Sequence, residues 1–395
     1  MIAESMIKYV KGSSVIRAMF EEGKAMAEKY GADNVYDYSL GNPSIEPPRA
    51  VKDALVHVLE EENPTIVHGY MNNSGYEDVR DTIAKSLNKR FGTNFDESNI
   101  LMTVGAAGGL NVILKSLLDA KDEVIVFAPY FGEYNNYVAN YGGETVVVAP
   151  DFETFQPNVE EMEEKITEKT KAVIINNPNN PTGVVYSKDI IEQLAAVLEK
   201  KSKEYGHAIY LIADEPYREL VYDGAEVPYL TKYYANTIVG YSYSKSLSLP
   251  GERIGYLVIP DEAEDAENIK VAANVANRIL GFVNAPSLIQ RALIHCIDTE
   301  TDVTPYDRNR QLLYSKLTEY GYQCIKPQGA FYLFVRILGD DEAAFVEKAK
   351  EYHLLLVAGS AFACPGYVRI AYCVDYDMIV KSLPAFEKLA KDFLG

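Results

Sequence analysis

Between residues 100 and 241 the chain repeats one pattern: a short apolar run, a loop, then a helical stretch. The runs are Ile100–Val104, Glu123–Phe127, Thr145–Val148, Ala172–Ile175, Ala208–Ala213 and Thr237–Tyr241. Helical spacing fills the intervals at 108–118, near 131–141 and at 187–204. Runs this short and this continuously apolar predict strands covered on both faces, hence an α/β fold with a mostly parallel sheet flanked by helices. Such sheets bind ligands just beyond the carboxyl ends of their strands. Upstream, helices are expected over 14–30, 49–61 and 76–91, with a short strand ending at Asp37. Downstream, a long helix over roughly 266–318, broken near 282–286 and at Thr304-Pro305, leads to strands at 331–335 and 367–371 and helices near 341–352 and 376–392. This last third reads as a smaller α+β part.

A chain of 395 residues is long enough for two cores. Its net charge of -19 disfavours nucleic acid and anionic membranes as partners, because both select basic surfaces. Cys296, Cys324, Cys364 and Cys373 show no C-x-x-C spacing and read as reduced thiols of a cytoplasmic protein. The N-terminus has no signal-peptide pattern, and no apolar run reaches the ~18 residues of a membrane span.

The chemistry-bearing residues gather at the strand ends. Lys245 lies in Ser242-Tyr-Ser-Lys245, eight residues before Arg253. A lysine among hydroxyls and beside an arginine can capture a carbonyl next to a bound phosphate, which is what a pyridoxal phosphate site needs. Asp214 ends the run 208–213. It serves either as a helix cap or as the partner of a cation such as a protonated pyridine nitrogen. Asn176-Asn-Pro-Asn-Asn180-Pro-Thr-Gly183 is an Asn/Pro turn whose side chains can also donate to a phenolate-like oxygen. Gly105-Ala106-Ala107-Gly-Gly109 offers amides and a helix dipole to an anion, or only small residues for tight packing. In Pro129-Tyr-Phe131-Gly-Glu-Tyr134 an aromatic can stack on a flat ring, although in a chain with 30 tyrosines plain core is the commoner reason. Arg369 fits a bidentate pair with a carboxylate, from a ligand or from a structural ion pair.

In this order and at these spacings, the motifs resemble the aspartate aminotransferase family, the fold type I pyridoxal phosphate enzymes of aminotransferase class I/II. The resemblance runs from Gly41-Asn-Pro43 to Val-Arg369-Ile-Ala. It implies a large cofactor-binding domain over 48–285 and a small α+β domain from 1–47 and 286–395. It implies pyridoxal 5'-phosphate as cofactor and amino-group transfer from an L-amino acid to a 2-oxo acid in two stages. Lys245 is then the Schiff-base lysine and proton shuttle, and Asp214 the partner of the ring nitrogen. Tyr217 and Asn180 bond the ring oxygen. Ser242, Arg253 and the amides of Gly105, Ala106 and Ala107 hold the phosphate, and Phe131 stacks on the ring, with Tyr130 as the alternative. Arg369, Asn180 and Gly41 receive the substrate carboxylate. Tyr70 reaches the phosphate of a partner subunit, which implies a homodimer with shared sites. Three departures stand out. Ala106 and Ala107 replace side chains that often help to hold the phosphate. Pro216 interrupts Asp-Glu-x-Tyr. Arg278 falls beside, not on, the position of a second substrate arginine, so an acidic substrate is not implied. A β-eliminating C–S lyase or an oxidase would use the same Lys/Asp/Arg set, and a non-catalytic pyridoxal phosphate-binding regulator is the alternative of another class.

Overall fold

The computed structural model describes residues 2–11 and 15–395. Its central sheet has seven strands in the spatial order Ile100–Thr103, Gly255–Val258, Thr237–Ser242, Tyr210–Asp214, Thr170–Asn176, Glu123–Phe127, Glu144–Val148. The last five run parallel. Gly255–Val258 lies antiparallel to both its neighbours. That strand was not among the expected ones, because its four residues sit directly behind the Lys245–Arg253 motif with no turn signal between them.

Alternate residues of each strand enter different cores. Val124, Val126, Ile174, Ile212, Ile238 and Leu257 pack on one face with Leu110, Ile113, Ile269 and Ala273. These four belong to the helices Gly105–Leu117 and Ala266–Ile279. Ile125, Val173, Ile175, Leu211, Val239 and Val258 point the other way. They share a core with Ile83 and Leu87 of Glu77–Phe91, Ile191 and Leu198 of Lys188–Tyr205, and Ile289 and Leu293 of Ser287–Cys296. Each such aliphatic side chain contributes roughly 1.5–3 kcal/mol by leaving water, so both faces must stay covered.

The expected long helix is three: Ala266–Ile279, Ser287–Cys296 and Thr304–Glu319. Pro305 stands in the first turn of the third, where its missing N–H costs nothing. It starts that helix and does not break one. The helix expected over 14–30 is described from Val15 to Tyr30; position 14 lies outside the described residues.

A four-stranded antiparallel sheet, ordered Val357–Ala358, Tyr367–Ala371, Tyr332–Arg336, Gln323–Cys324, forms the smaller α+β part. Its core joins Leu333, Val335 and Ile370 to Leu313, Phe345, Ile379 and Phe386 of the surrounding helices. Both chain ends build it. Tyr36–Asp37 pairs in parallel with Leu354–Leu355, Tyr38 is fully buried with its hydroxyl 2.6 Å from that of Ser382, and Ala371 donates to the Tyr38 carbonyl at 3.0 Å. The next residues, 39–41, reach the carboxyl ends of the large sheet. No helix among the described residues is long and apolar enough to cross a membrane.

Candidate active site

Three parallel neighbours end close together: Thr170–Asn176 and Tyr210–Asp214, with Asn176 in register with Asp214, and Thr237–Ser242, which runs two residues past Gly240, the partner of Asp214. Beyond them lies a cleft of about 290 Å³ that Gly41, Ala106, Ala107, Phe131, Asn180, Asp214, Tyr217, Ser242, Lys245, Arg253 and Arg369 all line. A larger hollow of about 460 Å³ behind the Lys245 turn, beside Arg90, Glu219 and Tyr241, holds none of these residues.

Lys245 sits in the single helical turn Tyr243–Ser246, capped by Ser242. Its Nζ donates to the Gly41 carbonyl at 2.6 Å. Burial lowers the amine to about 8; Arg369 and Arg253 push the same way and Cys373 opposes them. About a tenth of this amine is therefore uncharged at pH 7, and half of it near pH 8.

Asp214 is 6% exposed. Oδ2 accepts from the Tyr134 hydroxyl at 2.5 Å, while Oδ1 is buried without a partner. Burial raises the carboxyl to about 7, against the Tyr134 hydrogen bond and with a smaller push from Glu215. Turn, not helix, follows Asp214, so capping does not explain it. A buried carboxylate oxygen facing a cleft calls for a donor from outside the chain.

Asn176 braces the neighbouring loop. Its Nδ2 donates to the Asp214 carbonyl at 2.9 Å and its Oδ1 accepts from the Asn180 amide at 2.7 Å. Cis peptide bonds precede Pro178 and Pro181. Asn180 Oδ1 accepts from Arg369 Nη1 at 3.0 Å, and Arg369 Nη2 donates to the Ser39 carbonyl at 2.6 Å. The Arg369 guanidinium lies 4.6 Å from the Tyr332 ring centre and 4.9 Å from that of Phe362. Its Nε is buried without a partner, and no carboxylate pairs with it among the described residues. A structural ion pair is thus not its purpose.

At the opposite end, Gly105–Leu117 opens towards the cleft, three residues earlier than expected. The first-turn amides of Gly105, Ala106 and Ala107 have no intrahelical acceptor. Arg253 approaches them with its own backbone left-handed at φ 50°. A Cβ at Gly105 would come within 2.8 Å of Arg253 Nη2, and Gly105 has φ +74°, so only glycine serves there. The tight-packing reading holds as well: a Cβ at Gly109 would press on Leu257 at 3.2 Å. The Ser242 and Ser244 hydroxyls stand 2.7 Å apart on the far side. Amides, helix dipole, guanidinium and hydroxyls together make an anion site.

Of the two aromatics weighed, Phe131 lines the cleft; Tyr130 is buried, bonded to Asn135 at 3.0 Å. Two residues singled out in the sequence lie outside this cleft. Tyr70 is 95% exposed and outside the cleft. Arg278 is exposed on Ala266–Ile279. Sequence reasoning gave no role to Tyr134, which holds Asp214 across 80 residues of chain, or to Tyr332, whose hydroxyl lies 2.9 Å from that of Tyr217. Their one sequence signal is a tyrosine within an apolar or aromatic stretch, too common here to single out.

Comparison with known proteins gives the family. The chain is 30% identical over 387 residues to an aspartate aminotransferase of Thermotoga maritima, covering 96% of this chain and 97% of that one. It is 30% identical over 397 residues to aromatic-amino-acid aminotransferase 2 of Thermococcus litoralis, covering 96% of each. The crystal structure of an amino transferase from Eubacterium rectale superposes over the whole of both chains, with a TM-score of 0.97 at 49% identity. Residues 33–383 match the family described as aminotransferase class I and II, and the chain belongs to that family.

Proposed function

We propose that this chain is a pyridoxal phosphate-dependent aminotransferase that moves the amino group of an L-amino acid to a 2-oxo acid in two half-reactions. The observation that carries the reading is the pairing, in one cleft, of an unpartnered buried carboxylate oxygen on Asp214 with a weakly basic buried amine on Lys245. The residues present fit the cofactor. Asp214 Oδ1 would accept the ring N–H, and ionised Asp214 would keep that nitrogen protonated. Gly105, Ala106 and Ala107 amides with Arg253, Ser242 and Ser244 would hold the phosphate, and Phe131 would cover the ring. Tyr217 would donate to the ring oxygen, joined by Asn180 through its Nδ2, since its Oδ1 serves Arg369. When bound, the cofactor supplies an electron sink for charge developing at the substrate α-carbon.

The chain's own groups do the rest. Lys245 would hold the cofactor through its amine, and would be freed when a substrate amine took its place. Its freed amine takes the α-proton and hands it on, first as base and then as acid. Arg369 holds the α-carboxylate, braced by Asn180 and Ser39, so that the α-hydrogen faces Lys245. The Gly41 carbonyl, which accepts from Lys245 Nζ, gives the displaced amine a fixed place to wait.

Three further points belong to the same proposal. The chain works as two domains, 48–285 and 1–47 with 286–395; Ser287–Cys296, near the start of the last segment, packs on Arg49–Glu61 of the first. It acts as a homodimer with Tyr70 reaching the partner's phosphate, supported by that ring's near-complete exposure. It resides in the cytoplasm, consistent with four free thiols.

The test is a single half-reaction. Holoenzyme mixed with an amino acid and no acceptor should release one equivalent of 2-oxo acid per site and no ammonia. Continuous release of pyruvate with ammonia would overturn transfer in favour of elimination.

A further inference from the structure

Tyr332 opens the strand Tyr332–Arg336, paired with Ala371 on Tyr367–Ala371, and is 2% exposed. One ring touches three separate parts of the site. Its hydroxyl lies 2.9 Å from the Tyr217 hydroxyl. Its face supports the Arg369 guanidinium at 4.6 Å. Its edge lies so close to Gly41 that a Cβ there would fall onto the Tyr332 hydroxyl oxygen, and the Gly41 carbonyl accepts from Lys245.

We propose that Tyr332 is a positioning residue: its hydroxyl sets the direction of the Tyr217 hydrogen bond, and its ring seats Arg369 for the substrate carboxylate. The inference rests on the function proposed above. Two phenols within hydrogen-bond distance place one of their two hydrogens between the oxygens. The groups facing the pair are Arg369, Asp214 and Cys373, with Lys245 beyond Gly41. Burial raises both phenols, Tyr332 to about 12 and Tyr217 well above its ordinary value. Arg369, in contact with the Tyr332 ring, favours ionisation of Tyr332 most directly. Either hydroxyl can donate across this 2.9 Å contact; with the one Tyr217 hydrogen turned to the cofactor, as proposed above, the Tyr332 hydrogen fills it. Tyr217 keeps its own hydrogen for the cleft, and the accepted bond polarises its O–H and makes it the stronger donor. Removing the Tyr332 hydroxyl weakens that donation. The ring oxygen of the cofactor then carries more charge and holds the proton shared with the Lys245 link more tightly.

Hydroxyl and ring can be tested apart in the holoenzyme. Tyr332→Phe keeps the ring. It should raise the pH midpoint of the visible absorbance change by ~0.3–1 pH unit and leave the amino-acid KM within about twofold, since Arg369 keeps its cation–π contact. Tyr332→Leu removes the ring and should raise KM by ~5–30-fold, with a smaller change in kcat. A Phe variant that titrates at the wild-type midpoint, or a Leu variant with the wild-type KM, overturns the proposal. A residue needed only for packing would lower thermal stability without moving the midpoint, and that result counts against it too. The Phe variant, which loses one atom, keeps the test decisive if the Leu variant fails to fold. Failure of the underlying function is separate: it would show as Lys245→Ala retaining the lysine-linked absorbance.

Discussion

Asp214→Asn should stabilise the protein without its cofactor and weaken it with one. In the folded chain the carboxyl is raised from 3.8 to about 7 by burial. A group whose folded value lies above its unfolded value contributes stability that is complete below about pH 4. That stability is lost as pH rises to about 7, because folding then requires a proton the unfolded chain has released. Three pH units correspond to about 4 kcal/mol. Roughly two of those units fall between pH 5 and 7, so apo wild type should lose about 3 kcal/mol between pH 5 and pH 8 through this one group. Asparagine keeps the Tyr134 hydrogen bond and carries no charge at either pH, so the variant should lack that slope. Calorimetric melts of both apoproteins at pH 5 and pH 8 read the difference directly. Pyridoxal phosphate reverses the order. On the proposed function its ring N–H would neutralise Asp214 in the wild type, while the variant would lose a charge-assisted bond, and the dissociation constant should rise ~10–100-fold. Apoproteins that lose stability in parallel from pH 5 to 8, or that bind the cofactor equally well, would refute the reasoning.

Two further outcomes follow from the same cleft. Arg369→Ala removes both charged contacts to a substrate carboxylate and should raise the amino-acid KM ~10²–10³-fold, with kcat changed much less; an unchanged KM for every amino acid tried would exclude that role. The rate at which apoprotein captures pyridoxal phosphate should climb with pH and level off above about 8, because only the unprotonated Lys245 amine attacks; a rate that is flat from pH 6 to 9 would show that another group limits capture.

The parallel strands were legible because burial on both faces leaves continuous Val/Ile runs, and Asp214, Asn176 and Ser242 end three of them. The antiparallel strand Gly255–Val258 carries no such mark: four residues are too few for periodicity, and partners on both sides fix it. The early start of Gly105–Leu117 runs against the low helix propensity of glycine. Close approach to Arg253 and Leu257 outweighs that preference. Lys245, Asp214 and Arg369 could be picked out because each is a charge in a place where a bare charge is costly, and exposed Arg253 because it follows Lys245 by eight residues. Tyr134 and Tyr332 could not, because their importance lies in partners 80 and 115 residues away. Tyr70 and Arg278 remain outside the cleft that one chain forms.

The strap of residues 36–41 bears on the order of synthesis. Its contacts include Leu354–Leu355, Arg369, Ala371 and Lys245, so a segment made early waits for strands made more than 300 residues later. More than 300 residues separate the two ends of the Tyr36–Leu354 pairing, roughly 15–60 s of translation. Once Gly255–Val258 has emerged, the large sheet can assemble while the strand that carries Arg369 has yet to be made. A nascent chain can therefore own a folded sheet and a lysine, and still lack the seat for an amino acid until its C-terminal strands emerge.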